Sequence, residues 1–79
     1  MKVENKAFNI AFGKNLERMI STRGLTPQDI AANANIEPKQ VYRVINAENS
    51  PSLNIIVAIA KGLDVHPKDL FNFDWSKLD

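Results

Sequence analysis

Lys39, Gln40, Tyr42, Arg43 and Asn46 stand on one short stretch, "PKQVYRVIN", between the apolar residues Val41, Val44 and Ile45. The apolar three recur at the three- and four-residue spacing of a buried helical stripe, which leaves the other five on the outward face. Lysine and arginine donate hydrogen bonds to guanine O6 and N7, and glutamine pairs with an adenine edge. The same five side chains also describe an ordinary solvated helix face carrying two cations. Other chemistry has little to work with. His66 is the only histidine and precedes Pro67, a helix-boundary position, and there is no cysteine. The acids are scattered, and neither a glycine-rich phosphate loop nor a nucleophile motif is present. The chain is therefore expected not to be an enzyme and to need no metal or cofactor.

The stretch must be held in place by a small structure. Seventy-nine residues correspond to one domain, 1–79, near the size at which a single core just suffices. With 44% hydrophobic and 24% charged residues, the composition is that of a soluble globular chain. The longest apolar stretch, Ile55 to Ala60, is too short to span a membrane. "MKVENKAFNIAF" lacks the uninterrupted apolar run of a signal peptide. A cytoplasmic protein is the expectation. The formal charge is only +1, but it is unevenly spread. Residues 1–24 set Lys2, Lys6, Lys14, Arg18 and Arg23 against Glu4 and Glu17, a net of +3. Residues 64–79 set Lys68 and Lys77 against Asp64, Asp69, Asp74 and Asp79, a net of −2. A basic front and an acidic tail suit a protein with one face toward an anion.

Five helices and no strand are read along the chain, an all-α fold. Phe8, Phe12, Leu16, Met19 and Ile20 form the stripe of a first helix from about Lys6 to Arg23, closed by Gly24. In "TPQDIAANA", Thr26 is an N-cap, Pro27 takes the first helical position and Asp29 completes a capping box. Ile30, Ala31 and Ala34 face inward, their small size suggesting a close neighbour. Asn35 tolerates positive φ and turns the chain without glycine. Ile36 plugs the angle, and Pro38 opens the third helix. Ser52 caps a fourth helix, "LNIIVAIAKGL", with Leu53, Ile56, Val57, Ala60 and Leu63 as its core stripe. A short fifth helix begins at Pro67 with Asp69 near its positive end.

The turn between helices two and three is that of a helix-turn-helix unit. "FGKNLERM", "RGLT", "DIAANANI", "VYRVINA", "PSLNIIVAIAKGLDV" and "KDLF" follow in an order and spacing that resembles the Cro and phage-repressor (XRE-like) helix-turn-helix family from Phe12 to Phe71. The resemblance implies a compact, five-helix, lambda-repressor-like domain. It further implies a sequence-specific DNA-binding transcriptional regulator, dimeric on a two-half-site operator, with helix three (about 38–46) in the major groove. Carried over residue by residue, Lys39 and Arg43 fall at base-contacting positions, flanked by Gln40 and Tyr42. Phosphate contacts are expected from Thr26 and Gln28 at the positive end of helix two, and from Asn46 and Asn49 after helix three.

Three departures from the family pattern qualify this. Pro27 stands where relatives often have glutamine, and Gln28 is the residue that can substitute. Ala47-Glu48 stands where they often have glycine followed by lysine or arginine, and Glu48 repels phosphate. Ile20 and Ile45 replace a partly buried Arg–Glu pair, so the two isoleucines are expected to touch.

A second apolar surface on helix four (Ile55, Ala58, Ile59 and Gly62), with Phe71, Phe73, Trp75 and Leu78 nearby, is the expected homodimer interface. The alternative is that the tail folds back over it. Restriction–modification controllers and phage-type repressors are the subclasses of similar build. The rival function is a protein-interaction or antitoxin-like accessory module that uses the same fold against a protein partner.

Overall fold

The computed structural model describes residues 5–76 and 78. Among them are four α-helices, α1 (Lys6–Thr22), α2 (Pro27–Ala34), α3 (Pro38–Ile45) and α4 (Leu53–Leu63), followed by a 3-10 helix (Pro67–Phe71). No strand occurs among the described residues. The expected fifth α-helix is thus corrected to a single tight segment. A five-residue segment that opens on Pro67 is too short for a ladder of i→i+4 bonds, and it is set by its cap. His66 Nδ1 accepts from the Lys68 N–H at 3.0 Å, while Asp69 accepts from the His66 N–H at 3.3 Å.

Local chemistry explains each junction. At the end of α1, Gly24 has φ 68°, and the Leu25 N–H donates back to the Ile20 carbonyl. The α2 capping box is complete, with Thr26 Oγ1 accepting from the Asp29 N–H and the Asp29 carboxylate accepting from the Thr26 N–H. Asn35 closes α2 at φ 58°, and Ile36 donates to the Ala31 carbonyl. A side-chain amide beside the backbone is what makes this left-handed turn tolerable without glycine. Ser52 caps α4 by accepting from the Ile55 N–H at 3.2 Å.

Ala47, just past α3, also sits in the left-handed region, at φ 55°, and has no such side chain to compensate. Ala47→Gly should therefore stabilise the fold by about 0.5–1 kcal/mol, the removed Cβ strain outweighing the glycine's extra unfolded-state entropy. A urea midpoint that fails to rise in the variant would contradict this.

The core is drawn from every helix. Phe12, Leu16, Met19 and Ile20 of α1 meet Ile30 and Ala31 of α2, Val41 and Val44 of α3, and Ile56, Ile59, Ala60 and Leu63 of α4, with Leu70 closing one end. α2 packs against both α3 and α4, α1 packs against α3, and the 3-10 helix bridges α1 and α4. Two glycines permit backbone-to-backbone approach. A Cβ on Gly13 would collide with the Ile45 carbonyl and lie 2.6 Å from that of Val44. On Gly62 it would lie 2.7 Å from the Ile30 carbonyl and 3.2 Å from the Ala34 methyl. The small residues expected to mark close packing thus do so between α2 and α4.

That approach sets the rotation of α4 and corrects the expected stripe. Ile59 is 0% exposed and Gly62 is buried, so neither belongs to a surface patch. Leu53, placed in the core by its spacing, is 78% exposed, and Val57 is also exposed. An α4 that is apolar nearly all round carries no periodic signal to choose between these rotations.

The tail turns back toward α1. The Phe73 ring lies 5.2 Å from that of Phe8, and the Phe71 ring 4.9 Å from that of Phe12. Asn15 makes the polar link at this end. Almost wholly buried, it donates from Nδ2 to the Leu70 carbonyl at 3.0 Å and accepts from Arg18. Beyond it, the Ser76 hydroxyl and N–H both donate to the Asp74 carboxylate and hold its pKa below the ordinary value.

Candidate nucleic-acid interface

α3 is mounted from one side and open on the other. Val41 and Val44 are buried, and half-buried Ile36 and Ile45 pack against the same cluster. Pro38 fixes where the helix starts, and Glu37 precedes it in extended conformation. The opposite face carries Lys39, Tyr42 and Asn46, all exposed, with Gln40 and Arg43 half-buried at its edges. The five polar residues expected together are thus brought onto one helix whose backbone the core immobilises. Among the described residues, the ion pair on this face is Lys39 Nζ to Glu37 Oε2 at 3.4 Å.

The expected phosphate-facing residues divide. Thr26 is exposed, but its N–H and hydroxyl oxygen are both committed to the α2 cap, and the Asp29 carboxylate occupies the positive end of the helix. Little of the α2 terminus is left for an outside anion. Gln28, Asn46 and Asn49 are exposed. The Asn46 N–H is internally bonded, to the Tyr42 carbonyl at 2.9 Å, which leaves its side chain as the outward group. Glu48 is exposed beside them.

Ile20 and Ile45 line one surface hollow of about 540 Å³ together with Leu25 and Pro27, rimmed by Lys14, Glu17, Arg18 and Ser21. The space lies where α1 passes the start of α2 and the end of α3. Two branched aliphatics there leave an apolar floor that requires no buried charge.

Of the expected interface residues on the far side of the molecule, Ile55, Ala58 and Phe73 are half-buried, Phe71 is partly open and Trp75 is 63% exposed. Leu53 and Val57 present the apolar area that Ile59 does not. The spacing of Leu53 and Val57, four residues apart, was compatible with either assignment. Two further residues escaped sequence reasoning. Gly13 offers no signal beyond being a glycine inside a helix, and Asn15 none beyond being a polar residue next to the apolar stripe.

Among the described residues, no helix is long and apolar enough to cross a membrane, and no three potential ligands cluster for a metal. No curated protein matches the sequence. Solved structures do. The restriction-modification controller protein C.AhdI from Aeromonas hydrophila is 27% identical, with a TM-score of 0.75 over 80% of this chain and 96% of its own. The controller C.Esp1396I is 17% identical, with a TM-score of 0.72 over 81% of this chain and 83% of its own. The clp gene regulator ClgR from C. glutamicum is 16% identical, with the same TM-score and coverage. These likenesses show a shared fold. Residues 15–75 match the Cro/C1-type HTH DNA-binding domain, and the chain belongs to that family.

Proposed function

We propose that this chain is a transcriptional regulator that binds a two-half-site operator as a homodimer, with α3 in the major groove. Lys39, Gln40, Tyr42 and Arg43 face base edges in this reading, and Gln28, Asn46 and Asn49 face phosphates, with Thr26 contributing at most its hydroxyl proton. The observation that carries it is the open polar face of α3 on a helix held rigid from behind by Val41 and Val44, in a member of a DNA-binding family. In this reading the protein acts in the cytoplasm, and catalysis is no part of it. The likeness to C.AhdI supports a controller-type regulator over a phage-type one.

A single domain reads one half-site, so a dimer is needed for an operator of useful length. Its apolar contact is best supported by Leu53 and Val57 on the outer face of α4, with Ile55, Ala58, Phe71 and Trp75 around them. Exposed leucine and valine one turn apart are what a second copy would cover.

Asp29 and Glu48 support the rival reading, a protein-interaction module, since carboxylates near a groove repel phosphate. A salt titration separates the two. A phosphate-contacting dimer should lose affinity with a log–log slope of roughly −0.9 per phosphate neutralised, which amounts to several units for two half-sites. Absence of binding to any random duplex pool at low salt would reject the DNA reading and leave the protein partner.

A further inference from the structure

We propose that Glu37 is a specificity-determining residue, reading cytosine jointly with Lys39. The inference rests on the DNA-reading role of α3. Glu37 occupies the N-cap of that helix, yet its side chain makes no capping bond. At three other helix starts the cap is used: Thr26, Ser52 and His66 each accept from a backbone N–H of the first turn, while Asn5 before α1, like Glu37, makes no capping bond. Glu37 supplies only its backbone carbonyl, to the Gln40 N–H at 3.0 Å, so its carboxylate is free to face outward. The chain thus keeps an acid at the head of the one helix that would approach a polyanion.

A lone carboxylate there would oppose binding. This one is not alone: Lys39 Nζ stands 3.4 Å from its Oε2, and the two side chains are 63% and 70% exposed. The pair presents a donor and an acceptor side by side, at a separation close to that between groups on one base-pair edge. In the major groove a G·C pair offers guanine O6 and N7 as acceptors next to the cytosine N4 donor. The ammonium meets the guanine and the carboxylate meets the cytosine. A carboxylate cannot accept from thymine O4, and it meets a guanine edge as acceptor against acceptor. Glu37 therefore rejects wrong pairs as well as binding the right one. Glu48 plays no such part, lying past the opposite end of α3.

The test is selection from a random duplex pool with the wild type, Glu37→Ala and Lys39→Ala, with circular dichroism to verify that each variant is folded. The wild type should select a G·C pair at one position of each half-site. Glu37→Ala should lower discrimination at that position by about 5- to 150-fold, and Lys39→Ala should act on the same position. Glu37→Gln, which keeps the shape and should fold even if alanine does not, should shift the preference toward adenine. Two outcomes overturn the inference. One is an affinity gain for all sequences alike with the base preference unchanged, which is simple relief of repulsion. The other is Glu37 and Lys39 variants acting on different positions. A wild type that selects no DNA would remove the reading beneath it and the inference together, and so differs visibly from either.

Discussion

Gly13→Ala should destabilise the protein by about 2–3 kcal/mol, although alanine is the better helix former. On propensity alone the change would favour α1 by about 0.8–1 kcal/mol. The added methyl, however, collides with the Ile45 carbonyl and comes within 2.6 Å of that of Val44. Both are backbone atoms at the end of α3, so no side-chain rotation relieves the contact. α1 and α3 must separate, and the packing of Leu16 and Val44 loosens with them. For a domain of this size the loss is a large part of a total of roughly 5–10 kcal/mol. It should lower Tm by about 10–20 °C, at roughly 4–8 °C per kcal/mol. A thermal melt showing an unchanged or higher Tm would disprove the close approach. Because α3 is displaced without losing a base contact, any DNA affinity should fall about equally for all sequences.

Arg43→Ala should behave in the opposite way, leaving the melt nearly unchanged and weakening operator binding by about 1–3 kcal/mol at one base pair. Arg43 lies on the outward side of α3, and beyond the helix ladder its backbone carbonyl accepts from the Glu48 N–H, a bond that alanine retains. Competition with operators altered one base pair at a time is the measurement. If the loss were uniform over all sequences and the salt slope fell by about one unit, Arg43 would be a phosphate contact instead.

Much of this fold was legible because local chemistry and tertiary structure agree. Thr26, Pro27 and Asp29 announce the start of α2, Asn35 its end, Pro38 the start of α3 and Ser52 that of α4. Each works through atoms within a few residues of itself, so a single sequence carries the information. The inward set Val41 and Val44 was likewise readable, since polar neighbours on α3 make its two faces distinct. The same property turns the polar set outward, with Lys39, Tyr42 and Asn46 exposed and Gln40 and Arg43 half-buried at its edges.

α4 was legible in extent but not in orientation. With only Asn54 and Lys61 clearly polar among its eleven residues, Leu53 and Ile59 look interchangeable in the sequence. The contact of Gly62 with Ile30 and Ala34 turns Ile59 inward and leaves Leu53 in solvent. The 3-10 segment was likewise misjudged, because its cap reads like that of an α-helix while its length allows only one turn.

By itself, then, the sequence determined where the helices begin and end and which side of α3 is free, since capping and amphipathic periodicity act over one or two turns. Only the tertiary structure decided which face of α4 is buried, that Gly13 must be glycine, that Asn15 ties α1 to Leu70, and that the Glu37 carboxylate pairs with Lys39 and makes no capping bond. Those are matters of which atoms from distant segments meet, and of which local donors remain once they have met.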